Sequence, residues 1–265
     1  MNIRQTRIIA AALACGLVAA FTGGTVGAAD TAEIDAIKKI LASSYPEVQV
    51  TDIRPSPIAG LYQVFSADAV VYVDRTGQYL LGGPLIATHT KTDLSKQALD
   101  ERDAIKWEQL PLDQAIKTVR GNGQRTIAVF ADPDCPFCHN LEKELAGLDD
   151  ITIYTFLYPL TSLHPDARNK AHALWCAPDR SAAWHDWMIL DKAPAAPSVP
   201  CTEDPLDNLQ TFGRTHKIAS TPVIFLENGH RISGTLASAQ LNTLLTTART
   251  EKLHAANGTP VRPKS

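Results

Sequence analysis

Two cysteines separated by two residues, Cys135-Pro136-Phe137-Cys138, stand where an apolar β-rich run gives way to a helical pattern. That placement constrains the chain more than the motif alone. Upstream, residues Thr126 to Phe130 read as a short buried strand; downstream, Leu141, Leu145 and Leu148 recur at helical spacing. A CxxC at such a junction puts its first sulfur at a helix N-terminus, where unpaired backbone N–H groups and the helix dipole favour a thiolate over a thiol. The thiolate is the species that attacks disulfides, and a second cysteine three residues on is placed to resolve the mixed disulfide. The pattern therefore points to thiol–disulfide chemistry, with a purely structural CxxC disulfide as the alternative.

The N-terminus sets the compartment. Arg4 and Arg7 precede an apolar run from Ile8 to Phe21, and small residues follow at Gly27, Ala28 and Ala29. The run is shorter than the roughly 20 residues of a membrane-spanning helix. Residues 1–29 are therefore expected to be a cleaved secretory signal, rather than an uncleaved anchor. Cys15 would leave with it; a lipoprotein cysteine there fits poorly, because apolar residues continue beyond it. No other apolar run is long enough to cross a bilayer. Four cysteines remain, Cys135, Cys138, Cys176 and Cys201, and an even number in an exported chain favours disulfides over a zinc site. Removing the two arginines of residues 1–29 takes the net charge from −3 to −5. With no basic patch, nucleic-acid binding has little support. The mature length suits one large domain or two modest ones.

Two domains joined by a helix are expected. In residues 30–43, Ile34, Ile37 and Leu41 share one helical face. Strand-like runs follow at 61–65, 70–73 and 78–81, with a tight turn from Asp74 to Gly77. So small a sheet leaves open edges, which pairing with a second copy would cover. Asp93 to Leu110 reads as a charged, solvent-exposed helix capped by Asp93, a spacer ending at Pro111. The second half is expected to run helix 112–120, strand 126–131, helix 134–147 and strand 151–157. After these come a helical stretch 166–190, a Pro-rich loop and a helix 206–216. A strand at 222–226, a turn at 227–229, a short strand at Arg231–Ile232 and a helix 238–253 close the pattern. That order is a thioredoxin fold with a helical insertion at about 160–216. The boundaries are a signal at 1–29, an N-terminal domain at 30–92, a linker helix at 93–111, a catalytic domain at 112–254 and a disordered tail at 255–265.

Here a resemblance becomes specific. Over nearly the whole mature length the chain resembles periplasmic disulfide isomerases of the DsbC/DsbG type. The carrying residues are Ser56 to Tyr62, Val71 to Asp74 with Gly77, Phe130 to His139, Ala173 to Cys176, Ser220 to Pro222, Asn228-Gly229 and Gly234. The resemblance implies an α+β protein with a small cystatin-like N-terminal dimerisation domain, a linker helix and a C-terminal thioredoxin fold, located in the periplasm. It makes Cys135 the solvent-facing nucleophile and Cys138 the resolving thiol. Pro222 becomes the family's cis-proline, leaving the Thr221 backbone free to pair with a substrate strand. The ordinary alternative is a trans proline opening an edge strand. Cys176 and Cys201, 25 residues apart, match the family's second, structural disulfide.

His139 makes the motif Cys-x-x-Cys-His, which is also a haem-attachment signature. Against haem, the mature chain has one methionine, Met188, as a conventional distal ligand, and this CxxC follows a strand. His139 then either stabilises the thiolate or faces solvent. Asp132 matches an acidic position of the family and would accept or relay protons. Asp134 is expected to cap the helix, although its charge beside Cys135 would oppose the thiolate. Trp175, Trp184 and Trp187 read as core. No metal and no cofactor beyond the redox-active Cys135–Cys138 disulfide is expected.

Two function classes follow. One is an enzyme that reduces and reshuffles non-native disulfides of misfolded or oxidised exported proteins, as a homodimer recharged by a membrane thiol reductase of the DsbD type. The other is a chaperone that holds unfolded clients, with redox chemistry secondary. Pro136-Phe137 departs from the Gly-Tyr of the isomerase branch and is closer to the Pro-Tyr of the sister branch, which is associated with reducing sulfenylated cysteines. A monomeric oxidase fits poorly with the extra N-terminal domain and spacer.

Overall fold

The computed structural model describes residues 28–67, 69–195, 201 and 203–256. Residues 1–27 of the expected signal (1–29), with Cys15, residues 196–200 and 202 of the Pro-rich loop and the last nine residues of the tail lie outside the described residues, and residues 28 and 29 begin the first helix. The chain divides into two compact units, one reaching to Leu81 and one from Gly82 onward.

In the first unit, helix α1 (Ala28–Ser44) packs its Ile37 and Leu41 face on a four-stranded sheet ordered β1 (Asp52–Pro55), β2 (Leu61–Phe65), β3 (Val70–Asp74), β4 (Leu80–Leu81). Ile53, Tyr62, Val64 and Val73 complete the core. Strand β1, ending in Pro55, was not legible as a strand in the sequence. The Asp74 turn forms as expected. Gly77 donates to the Asp74 carbonyl at 2.9 Å with φ +71°, a region L side chains avoid. Leu80 and Leu81 of the edge strand, and Tyr79 just before it, are exposed.

The second unit opens with the hairpin β5 (Ile86–Ala87) and β6 (Thr92–Asp93), then helix α2 (Leu94–Arg102), whose Asp93 cap accepts from the Lys96 amide at 2.9 Å. The expected exposed spacer is corrected in two ways. The helix stops at Arg102, and the chain continues into a 3-10 turn at Trp107–Gln109 with Trp107 buried. Helix α2 is also seated on a neighbour: Asp100, buried, accepts from the Ser233 hydroxyl at 2.6 Å and the Ser233 amide at 3.2 Å. A residue that reads as surface charge in the sequence here satisfies a sheet edge.

The expected helix 112–120 is also overturned. Residues Leu112–Gln114 form a 3-10 turn, and β7 (Ile116–Arg120) is a strand paired antiparallel with β9 (Ile151–Leu157). Ile116 inward and Lys117 outward follow a two-residue period, and β-branched Ile116, Thr118 and Val119 suit a half-buried edge. Between them lie β8 (Arg125–Ala131), parallel to β9, and helix α3 (Pro136–Ala146). The helical stretch after β9 is two helices, α4 (Ala167–Trp175) and α5 (Arg180–Leu190), interrupted around Pro178, followed by α6 (Leu206–Thr215). Strands β10 (Val223–Leu226) and β11 (Arg231–Ser233) and helix α7 (Ser238–Ala256) complete the unit.

The five-stranded sheet runs β11-β10-β8-β9-β7. Its central strands read as continuous apolar runs because both faces are covered. Ile127, Val129 and Ala131 share one core with Leu141 and Leu145 of α3, Met188 of α5 and Leu241 of α7. Ala128 and Phe130 face the other way, with Phe156, Phe225 and Leu209 of α6. This is the thioredoxin-like α+β architecture expected, with α4, α5 and α6 inserted between β9 and β10.

Gly213 of α6 lies against Tyr158 so closely that an added Cβ would stand 2.3 Å from its ring. Gly213→Ala should cost about 1–3 kcal/mol by overpacking, read as a lower urea midpoint with an unchanged slope.

Candidate active site

Strand β8 delivers the chain into the turn Asp132-Pro133-Asp134, and α3 begins directly after Cys135. Pro136 occupies the first helical position, where its missing N–H costs no hydrogen bond and its fixed φ suits the helix. Cys135 itself is the N-cap, with no side-chain capping bond. The expected cap, Asp134, is elsewhere: both its oxygens accept from Lys170 of α4, at 2.8 and 2.9 Å. The amides at the helix start are thus left facing the sulfur. Cys135 and Cys138 are both free thiols.

The two sulfurs differ sharply. Cys135 is 5 % exposed and Cys138 1 %. The expectation of a solvent-facing nucleophile is therefore corrected: the Thr221–Pro222 loop lies over Cys135, whose Sγ is 3.5 Å from the Thr221 carbonyl. The Thr221–Pro222 peptide is cis. Hydrogen bonding from the Cys138 thiol is the largest influence on Cys135 and outweighs burial, the next largest. With help from Thr221 and the Cys138 and Phe137 amides, it brings the thiol from an ordinary 9.0 down to about 5. The contact with the Thr221 carbonyl favours the thiol form, since only S–H can donate to it. The Thr221 hydroxyl, buried without a partner of good geometry among the described residues, can turn to the thiolate instead. Cys138 moves the opposite way. Burial pushes its thiol up first, followed by the hydrogen bond to Cys135 and the charge Cys135 carries.

Asp132, expected to accept or relay protons, is enclosed. It is fully buried. Its Oδ1 accepts from the Asp134 amide at 2.7 Å; its Oδ2 faces the Leu160 amide at 2.6 Å and His164 Nδ1 at 3.0 Å. Its backbone carbonyl accepts from the Cys135 amide at 3.2 Å. His139 follows neither expectation. Its Nδ1 faces the Met188 carbonyl at 3.1 Å and its Nε2 the Pro133 carbonyl at 2.9 Å, so no ring nitrogen bonds the sulfur, and the side chain is only 18 % exposed. Trp187 Nε1 donates to the same Pro133 carbonyl at 2.6 Å. Trp175 and Trp184 are core; Trp187 is half-buried and holds the active-site turn. Remote from the CxxC in sequence, Cys176 and Cys201 form a disulfide with Cα atoms 5.7 Å apart.

A strand–CxxC–helix with a proline loop over the first sulfur is an arrangement that known proteins share. A model of the thioredoxin-like domain matches residues 112–249, and a model of the disulfide bond isomerase protein N-terminal domain matches residues 27–96. A probable thiol:disulfide interchange protein DsbC of Bordetella pertussis is 37% identical over 213 residues, 80% of this chain and 74% of that one. The chain belongs to the DsbC family. The Escherichia coli thiol:disulfide interchange protein DsbC is 29% identical over 82% of this chain and 87% of its own. The crystal structure of a disulfide interchange protein from Neisseria gonorrhoeae has 42% identity and a TM-score of 0.51, covering 53% of this chain and 99% of that one.

In this DsbC-family chain, sequence reasoning missed His164, Lys170 and Trp187. Each lies after β9, 26 or more residues from Cys138, His164 in the segment before α4, Lys170 on α4 and Trp187 on α5, and only tertiary packing brings them to the turn. The Cys135 shift has a consequence for stability. A thiol held below its ordinary value stabilises the reduced fold fully above pH 9, progressively less as pH falls toward 5, and not below. The rise of Cys138 acts in the opposite sense, but only above pH 9, outside the window from pH 5 to pH 9. Reduced protein should therefore gain stability over its Cys135→Ser variant between pH 5 and pH 9, measured by urea unfolding. Iodoacetamide should label Cys135 with a midpoint near pH 5 and leave Cys138 unlabelled until unfolding.

Proposed function

We propose that this protein is a periplasmic thiol–disulfide oxidoreductase that reduces and isomerises non-native disulfides in exported proteins, with Cys135 as nucleophile and Cys138 as resolving thiol. One observation carries the reading. Within one helical turn, one sulfur is held as a thiolate near neutrality and the other as a thiol.

The asymmetry orders the steps. Cys135 thiolate attacks a substrate disulfide, forming a mixed disulfide and expelling one substrate thiolate. Neutralising Cys135 removes the charge that helped hold the Cys138 proton, so Cys138 becomes easier to ionise once the mixed disulfide exists. In isomerisation, the expelled substrate thiolate opens a second substrate disulfide, and the thiolate freed there attacks the substrate sulfur of the mixed disulfide, so that a rearranged disulfide forms and Cys135 leaves as the thiolate it began as. In reduction, Cys138 loses its proton and attacks Cys135 Sγ; the substrate leaves as a dithiol and Cys135–Cys138 becomes a disulfide. That disulfide needs an external dithiol donor, for which a membrane thiol reductase of the DsbD type is the candidate. Thr221, whose carbonyl stands beside the sulfur, and Pro222 are assigned to substrate-strand pairing. The exposed edge at Tyr79, Leu80 and Leu81 supports assembly of the first unit as a homodimer.

A second reading, reduction of sulfenylated cysteines together with holding of unfolded clients, is favoured by the Pro136-Phe137 pair and by Phe137, which is 62 % exposed between the two cysteines.

Cys135→Ala should abolish insulin reduction and scrambled-ribonuclease refolding while leaving oligomeric state unchanged in light scattering. Cys138→Ala should accumulate mixed disulfides with substrate on non-reducing gels. Refolding activity retained in Cys135→Ala would refute the enzyme reading. Faster turnover of a sulfenylated cysteine peptide than of scrambled ribonuclease would favour the second reading.

A further inference from the structure

The second unit carries a histidine that no motif flagged. His164 follows β9, its side chain is 23 % exposed, and its Nδ1 stands 3.0 Å from Oδ2 of the fully buried Asp132. Asp132 stands three positions before the reactive cysteine in the same turn: its carbonyl receives the Cys135 amide, and its carboxylate receives the Asp134 amide. A carboxylate this close to Cys135 opposes the thiolate unless something cancels its charge.

The charged groups around the turn can be inventoried. From the β8–α3 turn come Asp132, Asp134 and Cys135; from α3 comes His139, on the Pro133 carbonyl; from α4 come Lys170 and Asp166. Lys170 is committed to Asp134 through two hydrogen bonds, with Asp166 as a weaker partner at 3.4 Å. Asp132 has two backbone amides, which are neutral, and His164. Among the described ion pairs, His164 is the cation of Asp132.

We infer that His164 is a positioning residue for disulfide exchange, pinning the Asp132 carboxylate through Nδ1 and, when protonated, cancelling the negative charge that would otherwise raise the cost of the Cys135 thiolate. The direction of its own titration agrees. The bond to Asp132 is the largest influence and raises the imidazole above its ordinary 6.5, against partial desolvation, while the charges of Asp132, Cys135 and Asp134 add to the rise. Cys135, at about 5, therefore ionises while His164 still carries its proton. The imidazole is a standing charge during thiolate formation, and no covalent step passes through it.

This inference rests on Cys135 being the attacking thiolate, and its test separates the two. Rates of iodoacetamide labelling of Cys135 are measured from pH 4 to 9 on the full reduced protein, for wild type, His164→Gln and His164→Lys. Glutamine retains an N–H donor for Asp132 but no charge; lysine retains the charge. In His164→Gln the midpoint should move up, so that labelling at pH 5 slows roughly three- to tenfold while labelling at pH 9 is unchanged. His164→Lys should return the profile toward wild type. Superimposable wild-type and His164→Gln profiles overturn the inference, as does an equal upward shift in both variants, which would make the imidazole ring rather than its charge decisive. Thermal melts run alongside; a variant that unfolds under the labelling conditions with the Lys variant equally unfolded also overturns it, since the residue is then purely structural. An inert Cys135 in wild type would instead defeat the reading of the preceding subsection.

Discussion

A single buried carboxylate organises the catalytic end of this molecule. Asp132 stands where β8 ends, with no exposure to solvent, and is tolerated there because two backbone amides and an imidazole converge on it. A buried charge without such partners would cost several kcal/mol. Satisfying it fixes the turn, and the turn fixes where α3 starts. Cys135 rather than a capping side chain occupies the N-cap, so the Phe137 and Cys138 amides can also reach its sulfur, while the Cys138 and His139 amides donate to its backbone carbonyl. The reactivity of the site descends from that geometry.

The same helix gives its two cysteines opposite chemistry. Cys135 lies at the end, bonded by its neighbour and under a proline loop; Cys138 lies one turn in, against the core of α3, β8 and α5. The site is also more enclosed than a motif alone suggests. Cys135 is only 5 % exposed, with the Thr221 carbonyl 3.5 Å from its sulfur. The insertion works toward the same end. Lys170 from α4, Trp187 and the Met188 carbonyl from α5, and the Leu160 amide before them all contact the turn or His139. The helices added to the thioredoxin frame brace the active centre rather than decorate its surface.

Much of this was legible in advance. The apolar runs of β8, β9 and β10, the amphipathic face of α1, the Asp93 cap and the strand-to-helix position of the CxxC follow from local rules that packing did not override. The failures have one cause. Residues 112–120 and 93–110 were read from local helical preference and polarity. Their states were set by partners distant in sequence: β9 for the former, β11 for the latter. Asp134 failed likewise, because Lys170 offered it an ion pair in place of an exposed cap.

What the sequence by itself determined was the chemistry available: two thiols at a helix start, a Thr-Pro before a strand, and two further cysteines downstream. Spacing along three or four residues is enough to specify those, since a helix turn or a strand alternation is a local object. Only the tertiary structure decided which sulfur ionises, what neutralises Asp132, and where His139 points. Those outcomes depend on dielectric surroundings and on groups 32 to 86 residues away along the chain, and linear spacing carries no record of either.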